Sequence, residues 1–167
     1  MFNTAQLATL KTAILANPTW AAFPNTSDGN FNLAQLLNQN ASPTVSAWKF
    51  IPRSDAINAL DPAEIDNLHT SSKGPALNFL FQWFNGIDCT KTGGPRAITD
   101  IISNSAAPNS RAAMLAMATE PMTSGQQIFG GTVIASATPP AAVSATLRTF
   151  AGQIAPADIA AAYAGHY

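Results

Sequence analysis

Residues 76–86 read ALNFLFQWFNG, an apolar stretch in which nearly every side chain from Phe79 to Phe84 is large and hydrophobic. Pro75 fits the first turn of a helix, and Gly86 fits the position just after a helix end. The length favours a helix over a strand, and a helix that is apolar on all sides is normally buried on all sides. We therefore expect this stretch to form the centre of the fold. The candidate core residues are Phe79, Leu80, Phe81, Trp83 and Phe84.

Shorter helices are predicted on either side of this stretch. In AQLATLKTAILA, the apolar residues Leu7, Leu10 and Ile14 recur at helical spacing, and Asn17-Pro18 is a helix end. After Asn30, the stretch FNLAQLLNQ places three leucines on one side of a second helix. The sequence of residues 61–64, DPAE, is a helix start, with Asp as cap, Pro at the first helical position and Glu at the third.

Two stretches alternate loosely between apolar and polar residues. TVSAWKFI, residues 44–51, is interpreted as an extended segment or a helix start in preference to a strand. AVSATLRTFAGQI, residues 142–154, is a strand or an extended segment. Between them, residues 119–140 contain Gly, Pro and Thr without a helical period, and so long a segment without regular structure usually has a role of its own.

These patterns predict a mainly α protein. We expect a small bundle of short helices around a central apolar helix, with extended arm or loop segments and at most a short β element. The whole chain, residues 1–167, is expected to be one domain. It would consist of a helical core (1–118), an extended loop or arm (119–142), and an extended segment followed by a C-terminal helix (143–167).

The charge content narrows the possible functions. Only 10% of the residues are charged and the formal net charge is −1, whereas a typical soluble domain carries about 25% charged residues. A surface built mainly from Asn, Gln, Ser, Thr and Ala is tolerable if neighbouring molecules cover much of it. This favours a subunit of a large assembly, and the alternative is a monomer with few charges. The sequence contains no basic stripe of the kind that would predict specific nucleic-acid binding. It also contains no apolar run long enough to span a membrane.

The side chains that could carry chemistry are few and scattered. His69 and Cys89 lie in separate polar loops, without the spacing of metal ligands or of a nucleophile and its base. The glycines of KTGGP and TSGQQIFGG do not have the order of a phosphate or dinucleotide loop. The acidic cluster of Asp61, Glu64 and Asp66 is better explained by a helix dipole than by acid–base catalysis. We therefore expect no enzymatic activity, metal or cofactor.

Six segments follow one another along the chain: LKTAILANPTWAA, SDGNFNLAQLLN, VSAWKFIPRSDAINAL, FLFQWFNGIDCTKTGGPRAITDIIS, NSRAAMLAMATEPMTSGQQIF and FAGQIAPADIAAAY. Their order resembles the small virion proteins of tailed bacteriophages that are encoded among the head and neck genes. The resemblance spans nearly the whole chain and is carried by packing motifs. It does not extend to a basic patch of the kind expected beside packaged DNA.

The resemblance implies a structural virion protein assembled in the host cytoplasm. The expected role is a head-to-tail adaptor, a ring of about twelve copies that joins the portal to the tail proteins. The alternatives are a capsid decoration or cement protein, and a small soluble enzyme or regulator encoded by a phage. Large aromatic residues in irregular segments are the candidate interface anchors, although each could instead fix a loop to the core of its own chain. They are Trp20, Phe23, Trp48, Phe129 and Phe150.

Overall fold

A computed structural model describes residues 2–70, 74–76, 78, 85–91, 93–102, 106–135 and 143–165. The contacts divide the chain into two compact units that interleave along the sequence. The first unit consists of Met1–Val45, Pro121–Gly131 and Arg148–Tyr167, and the second consists of Ser46–Glu120 and Thr132–Leu147.

The described residues form short helices and short strands. The helices are α1 (Thr4–Ala16), α2 (Pro18–Ala21), α3 (Ser27–Leu37), α4 (Arg53–Asn58), α5 (Ile65–Thr70), α6 (Gly93–Ile101), α7 (Pro108–Met117), α8 (Ser124–Ile128) and α9 (Pro156–Ala164). A 3-10 turn, Pro62–Glu64, precedes α5, and residues 74–76 and 78 are also helical. The strands are β1 (Ser46–Trp48), β2 (Phe50–Pro52), β3 (Gly86–Asp88), β4 (Thr119–Pro121), β5 (Gly131–Ala135) and β6 (Ser144–Arg148).

Helix α1 confirms the pattern predicted from the sequence. Leu7, Leu10 and Ile14 are buried along one side of it. Asn3 caps the helix, because its side chain accepts a hydrogen bond from the backbone N–H of Gln6 at 2.9 Å, while the Gln6 side chain accepts one from Asn3 N at 3.0 Å. This reciprocal arrangement satisfies two N–H groups that a helix start leaves without partners.

The core of the first unit lies among helices α1, α3 and α9. Its buried residues are Leu7, Leu10, Ile14, Leu33, Ala34, Leu37, Ile154, Ile159 and Ala162. A cluster of three aromatic rings packs against this core. The ring centroid of Phe2 lies 5.1 Å from that of Phe129 and 4.9 Å from that of Phe150, and the last two are 4.9 Å apart.

The second unit contains two sheets. The four-stranded sheet has the order β4-β1-β6-β5, in which β1 and β6 run parallel with Ala47 opposite Thr146. The two-stranded sheet pairs β2 with β3 antiparallel, with Ile51 opposite Ile87. Both of these isoleucines are buried, and the core around them also takes in Trp48, Ile98, Ile102, Met114 and Leu115.

The prediction of a mainly α bundle is wrong, because the protein is a mixture of helices with a four-stranded mixed sheet and a two-stranded sheet. The strands are three to five residues long, which is too short for a clear period of two. The stretch interpreted as a helix start or extended segment, residues 44–51, holds β1 and the first two residues of β2. The partner of β1 is β6 and the partner of β2 is β3, and both partners lie far away in the sequence. No local pattern therefore predicts the pairing.

Residues 119–142 also differ from the extended loop or arm that the sequence predicts. Their described part, 119–135, forms strand β4, helix α8 and strand β5. Helix α8 has only five residues, which is too few to show a helical period, and a capping box between Thr123 and Gln126 starts it. The five candidate core residues of the apolar stretch, Phe79, Leu80, Phe81, Trp83 and Phe84, lie outside the described residues.

Candidate functional site

Charged side chains are distributed very unevenly between the two units. The first unit holds nearly half of the chain, yet only four of the seventeen charged residues belong to it: Lys11, Asp28, Arg148 and Asp158. Arg148 is itself half-buried, and its guanidinium donates a hydrogen bond to Gln126 Oε1 at 3.3 Å. The scarcity of charged residues in the whole chain is therefore most pronounced in the first unit, whose surface is almost entirely neutral.

A groove of about 560 Å³ lies on this neutral unit, between helix α3 and residues 153–156. Its polar groups include the side-chain amides of Gln35, Gln39 and Gln153, and no charged residue lines it in the part of the chain that the structure describes. Phe31 lies in its wall with 52% of its surface exposed, so that a large aromatic side chain is available for contact there.

The groove wall formed by residues 153–156 is fixed by side-chain amides. Asn38, at the end of α3, donates from Nδ2 to the carbonyl of Ile154 at 2.9 Å and accepts from Ile154 N at 2.9 Å. The Ile154 side chain is buried in the core, where α8 approaches it so closely that a Cβ on Gly125 would meet Ile154 Cδ1 at 2.6 Å. The wall is therefore held in place without a ligand, which lowers the entropy cost of binding.

The chemistry of the groove suits a neutral polypeptide surface. Each glutamine amide offers two N–H donors and a carbonyl acceptor, so the lining can match either backbone groups or other amides. Apolar contact comes from Phe31, Ala34 and Pro156. None of the described residues that line the groove is a nucleophile or has a titratable side chain, so that these residues offer binding contacts and no group for acid–base chemistry.

Four of the five candidate interface residues are half-buried in the first unit. Trp20, Phe23, Phe129 and Phe150 all pack against its core. The fifth, Trp48, is fully buried in the core of the second unit, and its indole N–H donates to the carbonyl of Ile134 at 3.1 Å. It therefore presents no surface to a neighbouring molecule in this structure.

The structure does not bring His69 and Cys89 together in a reactive pair. His69 is exposed at the end of α5, whereas Cys89 is buried in the core of the second unit. Burial raises the pKa of the Cys89 thiol to about 12, and the adjacent Asp88 charge adds to the effect. Among the described residues, no three His, Cys, Asp or Glu side chains are grouped as metal ligands, and no helix could cross a membrane.

Sequence reasoning missed the groove, although one signal for it was available. Helix α3 buries Leu33 and Leu37, and Phe31 is not on that side of the helix. Because aromatic residues are enriched at protein interfaces, a large aromatic residue on the polar side of an amphipathic helix is a candidate contact residue. The other wall depends on the Asn38–Ile154 contact between distant parts of the chain, and no local pattern predicts it.

No protein-family model matches the chain, and no curated protein or solved structure is significantly similar to it. The interpretation of the groove therefore depends on its own geometry and on the charges around it.

Proposed function

We propose that this chain is a structural subunit of a tailed-phage virion, a ring-forming head-to-tail adaptor between the portal and the tail. The observation that carries the proposal is the near absence of charge from the unit that bears the groove. The segments that resemble small virion proteins of the head and neck region support the same role. No catalytic residue is assigned.

A neutral surface is suited to permanent contact with other subunits. The centres of protein interfaces are depleted in charged residues, because a charge that is removed from water costs several kcal/mol unless it is paired. Amide side chains and apolar groups such as those of Gln35 and Phe31 are far cheaper to bury when they find partners. The first unit therefore has the composition of an interface, whereas thirteen of the seventeen charged residues belong to the second unit.

A ring needs two different contact surfaces on each copy, because one face of a subunit meets another face of the next. We assign the groove between α3 and residues 153–156 as one of these surfaces. Its wall is already ordered, so that a neighbouring subunit can dock without first reorganising it.

A matched pair of substitutions on α3 tests this assignment. Gln35→Lys places a positive charge in the groove, and Asn32→Lys places the same charge on an exposed position of the same helix outside it. Sedimentation velocity and native mass spectrometry should show one closed oligomer of about twelve copies for the natural protein and for Asn32→Lys. We expect Gln35→Lys to weaken assembly by about tenfold or more.

Other results would contradict the proposal. A monomer at all concentrations that binds neither a portal ring nor a tail completion protein would exclude the adaptor. Binding in many copies over the capsid surface would instead identify a decoration protein. Equal assembly of the two lysine variants would show that the groove is not the interface.

A further inference from the structure

Helix α7 begins without a cap of its own. The residue before it, Ala107, has no side chain that could accept a hydrogen bond. A helix start leaves its first backbone N–H groups without partners inside the helix, and their burial without acceptors is costly. At α7 the acceptor comes from elsewhere in the chain.

Glu64 provides this acceptor from 45 residues away. Its Oε1 accepts from Asn109 N at 2.9 Å, and its Oε2 accepts from Ser110 N at 2.8 Å and from Ser110 Oγ at 2.7 Å. Glu64 is only 7% exposed and Ser110 is fully buried. A single carboxylate thus satisfies two backbone donors and one hydroxyl at the start of α7.

A second carboxylate, Asp61, reinforces the contact. Its Oδ2 accepts from Asn109 Nδ2 at 2.7 Å, and its backbone N–H donates to Ser110 Oγ at 2.9 Å. Asp61 also caps the turn that carries Glu64, because its Oδ1 accepts from Ala63 N at 2.9 Å. Two acidic groups on one turn therefore hold the first residues of α7.

Both carboxyl groups favour the ionised form. Burial raises the pKa of Glu64, as does the Asp61 charge to a smaller extent, but the hydrogen bonds from Ser110 and Asn109 outweigh both effects, and the pKa is lowered. The bond from the Asn109 side chain, with that from Ala63 N, lowers the pKa of Asp61.

Other charged groups on the surrounding elements lie in different settings. Asp66 on α5 is exposed, as are Arg96 and Asp100 on α6. On α7 itself, Arg111 is buried.

We propose that Asp61 and Glu64 form an acid-released latch on α7, through which low pH opens the second unit while the first unit stays folded. Protonation would turn Glu64 from an acceptor of three hydrogen bonds into a group that must itself donate one. Release of α7 would expose Met114, Leu115 and Ala118, which belong to the core of the second unit.

The first unit has no comparable carboxylate latch among its described residues. Four of its helices, α1, α2, α3 and α8, are capped by neutral side chains that do not titrate: Asn3, Asn17, Thr26 and Thr123. At α9, Asp158 accepts from Ala155 N at 2.9 Å, but this contact is exposed and lies within one helix turn. Acid therefore removes a buried contact from the second unit, whereas in the first unit it removes an exposed one.

Hydrogen exchange measured by mass spectrometry between pH 7 and pH 3 tests the latch, with rates corrected for the intrinsic effect of pH. We expect residues 107–118 to lose protection by about tenfold or more at a pH where residues 4–16 and 156–164 keep theirs. Glu64→Gln should already lower the protection of residues 107–118 at pH 7 and flatten its dependence on pH. The control is Asp66→Asn, which removes an exposed carboxylate two residues away.

Two outcomes would overturn the proposal. One is a simultaneous loss of protection in both units, and the other is protection of residues 107–118 that persists at pH 3. If Glu64→Gln does not fold, the profile of the natural protein decides alone. The test is independent of assembly, because it compares two segments of the same chain.

Discussion

Asn38 and Ile154, 116 residues apart in sequence, are joined by two hydrogen bonds of 2.9 Å between the Asn38 side-chain amide and the Ile154 backbone. The amide satisfies the Ile154 backbone in the way a neighbouring strand would, because it offers one donor and one acceptor to a single residue. This contact closes the first unit and fixes one wall of its groove at the same time.

Replacement of Asn38 should therefore destabilise the first unit. Asn38→Ala leaves the N–H and C=O of Ile154 without their partner, and a buried group left unsatisfied costs about 1–3 kcal/mol. Urea denaturation followed by circular dichroism measures the loss. Gln39→Ala is the control, because it removes an exposed groove amide from the next position; an equal loss in both variants would mean that the Asn38 contact is not special.

In the second unit, the Trp48 side chain likewise forms a hydrogen bond with the backbone of a residue far away in the sequence. Trp48→Phe keeps a large aromatic ring but removes the N–H that donates to Ile134 O. We expect a loss of about 1–3 kcal/mol in the free energy of unfolding from the unpaired carbonyl, and a further loss from the space that the smaller ring leaves. Trp20→Phe, at a half-buried tryptophan of the first unit, should cost less. An unchanged unfolding midpoint in Trp48→Phe would contradict this account.

Cys89 should make the protein less stable at alkaline pH. In the folded chain, burial raises the pKa of the thiol to about 12, whereas the thiol of an unfolded cysteine has a pKa of about 8.5. The unfolded state therefore binds fewer protons between these values, so that stability is complete below about pH 8.5 and falls as the pH rises towards 12.

Two measurements check this expectation. The slope of unfolding free energy against pH between 8.5 and 10.5 should be smaller in Cys89→Ala than in the natural protein. A thiol reagent added at pH 8 should modify the native protein only as fast as the second unit opens, because the buried thiol is protonated. Immediate modification of the folded protein would show that the thiol is accessible.

Phe31 should contribute to association and not to folding. Phe31→Ser changes a side chain that is half exposed in the groove wall, so the free energy of unfolding should change by no more than about 0.5 kcal/mol. Self-association, measured by sedimentation, should weaken by about tenfold or more. The matched control is Ile57→Ser in the second unit, where 43% of the side chain is exposed. Equal weakening by both would place the interface elsewhere.

The sequence predicts local features of this fold well. The buried side of α1 follows from its spacing of apolar residues, and the turn at Asp61-Pro62 begins as its capping signals indicate. The same signals explain Glu64 only in part. The Glu64 carboxylate does lie at the positive end of a helix dipole, but that helix is α7. No pattern in the sequence connects Glu64 with a helix that begins more than 40 residues later.

The features that could not be predicted depend on contacts between distant residues. A strand of three residues such as β1 is recognisable only beside β6, its partner. The groove likewise requires α3 and the segment after Phe150 to lie side by side. The low number of charged residues can be counted in the sequence. Their uneven distribution, with most of them in the second unit, follows only from the division of the folded chain into two units.

The interleaving of the two units has a consequence for the order of events during synthesis. The long block of the second unit, Ser46–Glu120, leaves the ribosome well before helix α9, which supplies Ile159 and Ala162 to the other core. The neutral half of the protein therefore remains unfinished until helix α9 has been synthesised, and a nascent chain that stops before residue 153 has only one wall of its groove. If the groove is a contact surface between copies, as we propose, a chain that still lacks residues 153–156 cannot join another copy through it.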